Sequence, residues 1–247
     1  MNVHALSGYN VAAPPTSQLF GAQGTDVTTS DLYEINTGTG AETSIGPIGF
    51  AVTGMAMRPS DNVMFAVTSN NSAVSPRSLI TIDMTTGDGT LVGGLFVTNG
   101  LADIAFRSDD VLYGFSGNNS RLYTVNTTTG AGTVVNLNQI PGSNSGLGCT
   151  FDSADVLYVF PHGDTGTYYS VDEAAVTFTS LGTLSGFSVT SGRIPAAACD
   201  ASDVVYASLL TPTGAGTHLG TIDVGTGVIS DVGATLAKMD ALAFSLV

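Results

Sequence analysis

Short apolar runs alternate with clusters of Gly, Thr, Ser, Asn and Asp along the chain, and no stretch carries the 3.6-residue stripe of an amphipathic helix. The plainest unit is Gly100 to Val135, and versions of it recur from end to end as four short strands. First strands are expected at Gly54–Met57, Asp103–Phe106, Gly148–Phe151, Ala196–Cys199 and Ala241–Phe244. Second strands follow at Leu19-Phe20, Met64-Phe65, Leu112-Tyr113, Leu157-Tyr158 and Val205-Tyr206, an apolar residue and then an aromatic each time, as a pleated, half-buried surface prefers. Third strands begin at Leu32, Leu79, Leu122, Tyr168 and Leu219, at intervals of 47, 43, 46 and 51 residues. Those are the periods of propeller blades.

The repeat begins on its second strand, at Gln18-Leu-Phe-Gly21, and ends on a first strand, Ala241–Phe244. The two ends therefore complete one blade. The expected fold is all-β: a five-bladed β-propeller over residues 18–247, four antiparallel strands per blade, closed by the C-terminal strand pairing into the N-terminal blade. Residues 1–17, with Tyr9 and Pro14-Pro15, match nothing else and are expected to be an arm or anchor.

Period-2 alternation puts Met57, Phe106, Phe151, Cys199 and Phe244 on one face of the first strands, with Ala56, Ala105, Thr150, Ala198 and Ala243 between them. The large residues are expected between blades and the small ones where backbones crowd at the axis. In four repeats the third strand ends in Asn or Asp, with Thr-Gly three residues on: Asn36, Asp83, Asn126 and Asp223. The Asx side chain is expected to accept from the backbone two residues on, and the glycine to take the positive φ of the hairpin loop. Glu173-Ala-Ala-Val176 departs from this pattern.

Links from first to second strand, such as Ser108-Asp-Asp110 and Ser153-Ala-Asp155, are short and alike, so they and the hairpins make one rim of minimal turns, whose aspartates read as turn residues. The other rim carries links of varied length and chemistry, where function on a rigid scaffold tends to sit. Its candidate ligand- or partner-binding residues are Asn70, Asn71, Arg77, Asn118, Asn119 and Arg121, continued by His162, Asp164, Phe187, Arg193 and His218. Amide, hydroxyl and aromatic groups of this kind suit a sugar or a protein surface.

Charge narrows the partners. Twenty acidic residues against 6 basic ones give a net charge of -14, which leaves little to release counter-ions from a phosphate backbone, so no nucleic acid is expected. Residues 1–8 lack the pattern of a signal peptide and no window has the length of a membrane span, so neither Sec export nor membrane insertion is expected. Cys149 and Cys199 fall at apolar positions of first strands and read as free, buried thiols. His4, His162 and His218 lie on unrelated segments without metal-ligand spacing, so no metal, cofactor or catalytic residue is expected. Asp103 and Asp240 flank first strands and are the best candidates for a facing carboxylate pair or a cation site at the channel mouth.

The residues Leu-Tyr-x-Val/Ile-Asn/Asp-x-x-Thr-Gly and Val-Leu-Tyr-Gly resemble those of β-propeller repeat proteins found among bacterial extracellular proteins and phage structural proteins, over residues 18–247. The blade count is also similar to that of five-bladed sugar-binding lectins. With the residue pattern, this leads to an expected non-enzymatic virion structural protein, a capsid decoration or a fibre-associated domain for host attachment. It would meet other structural proteins through the 1–17 arm and present the variable rim at the virion surface. The alternative is a free carbohydrate-binding lectin that meets a cell-surface glycan and leaves the cell by a non-Sec route, and a glycoside hydrolase stands behind both.

Overall fold

The structure, a computed structural model, describes residues 17–24, 26–117, 120–141, 145–162, 166–187, 193–211 and 216–246. The strands in chain order are β1 (Leu19–Gln23), β2 (Asp31–Ile35), β3 (Glu42–Pro47), β4 (Val52–Met57), β5 (Met64–Thr68), β6 (Ser78–Ile82) and β7 (Gly89–Gly94). They continue as β8 (Leu101–Phe106), β9 (Leu112–Ser116), β10 (Arg121–Val125), β11 (Gly132–Gln139), β12 (Ser145–Phe151), β13 (Leu157–His162), β14 (Thr167–Asp172) and β15 (Thr177–Thr183). The last are β16 (Ala197–Cys199), β17 (Val205–Leu210), β18 (Thr217–Asp223), β19 (Val228–Thr235) and β20 (Met239–Phe244).

Five four-stranded antiparallel sheets result: β4 to β7, β8 to β11, β12 to β15, β16 to β19, and a fifth ordered β20-β1-β2-β3. In the order just given these are the first to fifth blades of a five-bladed β-propeller. The expected closure is present, with Leu19 opposite Phe244 and Ala22 opposite Ala241. Burial falls from the axis outward: β5 and β9 are buried throughout, whereas β7 and β15 are mostly half-buried or exposed. Inner strands are covered on both faces by flanking blades, so their sequences are near-continuous apolar runs.

The core is divided into five clusters, one at each interface between consecutive blades. Successive residues of an inner strand point to opposite neighbours. Phe106 therefore packs toward the first blade and Ala105 toward the third. At each interface a large first-strand residue meets the second-strand aromatic of the preceding blade. Phe106 meets Phe65 with ring centroids 5.5 Å apart, Phe151 meets Tyr113 at 5.6 Å, and Phe244 meets Tyr206 at 5.3 Å. Cys199 with Tyr158, and Met57 with Phe20, fill the remaining two. The small residues are thus small for a reason other than crowding at the axis: Ala56 and Ala198 face the following blade and leave room for its Phe106 and Phe244. Each tilted aromatic pair adds about 0.5–1.5 kcal/mol beyond its buried area.

A second set of contacts runs around the short-turn rim. Asn62, Asp110, Asp155 and Asp203 each hold the left-handed position of a first turn, with φ of 57°, 66°, 59° and 62°. Short polar side chains tolerate that region because they hydrogen-bond locally. Here they also bridge blades. Asp110 accepts from the Ser60 N–H at 3.0 Å, and Asp155 from the Ser108 N–H and hydroxyl at 3.0 and 2.7 Å. Asp203 accepts from the same groups of Ser153 at 2.8 and 2.7 Å, and Asn62 from the Leu246 N–H at 2.8 Å. The Ser153 donors hold the Asp203 carboxyl below the usual carboxylate range.

The Asx hairpins form as expected, with the side chains of Asn36, Asp83, Asn126 and Asp223 accepting from the N–H two residues on at 2.7–2.9 Å. Their glycines, Gly40, Gly87, Gly130 and Gly227, have φ between 73° and 86°. Several of these turns touch the bulged outer strand of the preceding blade so closely that a side chain there has no room: a Cβ on Gly93 would lie 2.1 Å from the Thr129 carbonyl oxygen. The altered turn of the third blade has Val176 in the glycine's place at φ 48°, buried, with its carbonyl accepting from Asn138 Nδ2 at 3.1 Å. An amide contact there replaces the glycine contact. Gly93→Ala should lower the urea midpoint by an amount equivalent to about 2 kcal/mol, the cost of forcing atoms into a filled contact. An unchanged midpoint would show that the outer strand yields freely.

Candidate functional site

The inner strands surround an axis with a cavity at each end. On the variable rim a recess of about 200 Å³ has a polar side lined by Thr53, Ser69, Asn70, Asn99, Arg193 and Asp240 and an apolar side that includes Leu101, Leu147 and Pro195. On the short-turn rim a larger funnel of about 430 Å³ is walled by Met57, Phe106, Phe151, Cys199 and Phe244. The more spacious cavity is thus on the rim of minimal turns, for which the sequence predicts no binding role. Its walls are the large first-strand residues, whose inward ends meet where the five blades converge.

Between the two cavities lies Asp103, with no exposed surface. Its Oδ2 accepts from the N–H groups of Cys149 at 2.9 Å and Ala197 at 3.4 Å, and its Oδ1 from the Ile104 N–H at 2.9 Å. One carboxyl thereby ties together the inner strands of three blades. The room for it is made by Gly54, where a Cβ would stand 2.7 Å from both Asp103 Cα and Oδ1. Burial pushes the Asp103 carboxyl well above its ordinary range, the three N–H donors pull it down, and the charge of Asp240 adds to the rise. Asp240 is buried on the last strand, facing the variable-rim recess. Both carboxyls are on first strands, but Asp103 is not at a channel mouth as expected: it is buried in the interior and engaged in holding strands.

The expected binding residues divide into several groups. Asn70 and Arg193 come together on the polar side of the recess. Asn70 Nδ2 donates to the Asn99 carbonyl at 3.3 Å and Arg77 Nη1 to the Thr98 carbonyl at 2.7 Å, so both fix the link between first and second blades. Asn71 is exposed, with its backbone N–H on the Ser69 hydroxyl at 3.1 Å. Arg121 is half-buried at the start of β10, and His162 ends β13 opposite Ser145. Phe187 and His218 meet with ring centroids 5.5 Å apart, and His218 Nδ1 lies 2.9 Å from Asp231 Oδ1. Asn118, Asn119 and Asp164 lie outside the described residues, as do residues 1–16 of the arm. Among the described residues, no three His, Cys, Asp or Glu side chains converge as a metal-binding group.

Two features were not foreseen. Asp231 joins His218 through the bulge between β18 and β19, where the register shifts after Leu219. Phe96 is 87% exposed at φ 55°, on the link that Asn70 and Arg77 pin. A bulky residue in the left-handed region is an outlier, and a solvated phenyl ring gives nothing back for that strain.

No protein-family model matches the chain, and neither does any curated sequence. Solved structures do resemble it. A chain of the nidogen/laminin complex superposes with a TM-score of 0.60 at 11% identity, covering 93% of this chain and 98% of that one. A structural-genomics protein from Bacteroides thetaiotaomicron gives 0.52 at 15% identity over 75% of this chain and 52% of its own. A catalytically inactive virginiamycin B lyase from Staphylococcus aureus, crystallised with quinupristin, gives 0.50 at 14% identity over 87% and 84%. The likeness at these identities is one of fold, that of a β-propeller.

Proposed function

We propose that the chain is a non-enzymatic recognition and structural propeller that meets a macromolecular partner through its variable rim. The observation that carries this reading is Phe96, an exposed aromatic in a strained backbone conformation, on a link held in place by Asn70 and Arg77. Strain concentrates where a surface is prepared for a function, and aromatic anchors dominate interface energetics. The use of Asp103 as a tie between strands supports a structural role for the axial carboxyls over a catalytic one. The setting that fits is a surface assembly such as a virion, with residues 1–17 as the attachment and the rim directed outward, in keeping with the repeat proteins that the chain's Leu-Tyr-x-Val/Ile-Asn/Asp-x-x-Thr-Gly units resemble.

The test is antibody labelling of native particles together with a Phe96→Ala form of the chain. Labels should decorate the particle surface regularly, and Phe96→Ala should leave the thermal midpoint unchanged while weakening adsorption to the target surface by about tenfold or more, as for an interface anchor. Chain found free of any particle would remove the virion setting, and undiminished adsorption would remove the role of Phe96.

A second reading is favoured by the Phe187, His218 and Asp231 patch, whose paired, tilted rings and adjoining carboxylate suit a sugar. A glycan array separates the two readings: binding abolished by His218→Ala supports a lectin, and an array without a binder counts against it.

A further inference from the structure

The funnel on the short-turn rim lies apart from the variable-rim residues that carry the proposed function, and Ser17, the last residue of the arm, lines it. Its volume of about 430 Å³ falls within the range of small-molecule sites, roughly 300–1,000 Å³. Its throat is apolar and its mouth is not. The residue that follows each large wall residue differs from blade to blade: Arg58 and Arg107 on the first two, Asp152 and Asp200 on the third and fourth, and Ser245 on the fifth.

The two arginines do not line the funnel. Arg58 is held by Asp61 at 2.6 Å over the Phe65 ring, and Arg107 by Asp109 at 2.6 Å over the Tyr113 ring. Asp152, Asp155 and Asp200 do line it, and among the described residues none of them is in an ion pair. Backbone N–H groups orient them: Asp152 accepts from Ala154 and Val156, Asp200 from Ser202 and Val204, and Asp155 from Ser108. The mouth is therefore lopsided, with fixed negative charge over the third and fourth blades. That field reaches the wall. The Cys199 thiol is pushed up to about 12, first by burial and then by Asp203, Asp200 and Asp152.

We propose that this funnel binds a small amphiphilic cation, its apolar body in the throat between Phe106, Phe151 and Phe244 and its positive head at Asp152 and Asp200. An apolar cavity without the carboxylates would accept any greasy molecule, and carboxylates without the cavity would be a solvated rim. Together they select a molecule that has both parts, and they reject its anionic counterpart by repulsion.

The full-length protein is titrated calorimetrically with decyltrimethylammonium and, separately, decyl sulfate, both below their micelle concentrations, and Cys199 alkylation by a neutral maleimide is followed in parallel. Saturable one-to-one binding of the cation is expected, at least about tenfold tighter than the sulfate, weakened by added salt and accompanied by slower alkylation of Cys199. In Asp152→Asn/Asp200→Asn the side-chain oxygens keep their backbone donors, so the fold should hold while the cation binds about tenfold more weakly. If that variant does not fold, the salt dependence and the cation-against-sulfate ratio in the unaltered protein decide alone. Equal binding of the two amphiphiles, unchanged affinity in a folded double variant, or no saturable binding would each overturn the proposal.

Discussion

A chain cut after Lys238 is expected to show no cooperative unfolding transition in urea, although the strands of the first four blades remain complete. The nine residues removed include all of β20, whose six positions are buried without exception. The strand belongs to two interfaces at once. Leu242 and Phe244 pack toward the fourth blade, Ala241 and Ala243 toward the first. Its edges are held as well: Ser245 N–H donates to the Gln18 carbonyl at 2.8 Å, and the Ser208 hydroxyl donates to the Met239 carbonyl at 2.7 Å.

Burying Met239, Leu242 and Phe244 contributes roughly 1.5–3 kcal/mol each. Their sum is comparable with the whole stability of an ordinary domain, about 5–15 kcal/mol. Without β20 the fifth blade also exposes the inner edge of β1, and the ring has nothing to close it. Phe244→Ala is the graded version, expected to cost about 3–5 kcal/mol as a buried aromatic truncation that also removes the contact with Tyr206. A truncated chain with an unaltered transition would mean that the ring does not depend on joining its ends.

That closure was legible in the sequence, because a missing first strand at one end and a surplus one at the other are complementary facts about one period. The Asx hairpins were legible for a similar reason: their chemistry is local, and a side chain that bonds two residues on needs no knowledge of the fold. Contacts between blades were harder. Alternation says that Phe106 and Ala105 point in opposite directions, but not that Phe106 meets Phe65 of one neighbour while Ala105 makes room for Phe151 of the other. The same holds for Asp110, Asp155 and Asp203, which read correctly as turn residues while their second role, accepting from the preceding blade, depends on ring geometry.

Among the candidate residues, Asn70 with Arg193 and Phe187 with His218 were brought together by placing them on the long-link rim. Asp231 was missed because a bulge shifts the register that would have revealed it. The funnel was missed for a different reason. Short, uniform turns suggest a featureless rim, yet short turns leave an axial cavity uncovered, and its walls are core residues whose inner ends no sequence pattern marks as accessible.

Asp103 carries the other large expected effect. Asp103→Ala removes the acceptor from three buried N–H groups on β8, β12 and β16, and should destabilise the ring by roughly 3 kcal/mol, since a buried donor left unpaired costs about 1–3 kcal/mol and the loss of a costly buried carboxyl offsets part of the total. The pH dependence identifies the group. Its carboxyl holds a proton more tightly in the folded ring than in the unfolded chain, because burial outweighs the donors. The stabilisation linked to that proton is complete below the unfolded value, near 4, and is lost as pH rises toward the folded value. Exposed Asp61, Asp83, Asp109, Asp203 and Asp223 are shifted the opposite way, so their contribution is present at neutral pH and lost only on acidification below about pH 4, and solvent screening keeps it small. Burial raises the Glu173 carboxyl as well, and it contributes with the same sign as Asp103, so between about pH 5 and pH 8 the part of the slope that belongs to Asp103 is the part its replacement removes. Urea midpoints of the unaltered protein should therefore fall across that range. Asp103→Asn, which cannot ionise and retains one acceptor oxygen, should start lower at pH 5 and fall less steeply. Equal slopes in the two proteins would mean that Asp103 is ionised throughout, with its three N–H donors outweighing burial, and the axis would then be held by a charge instead of a neutral acid.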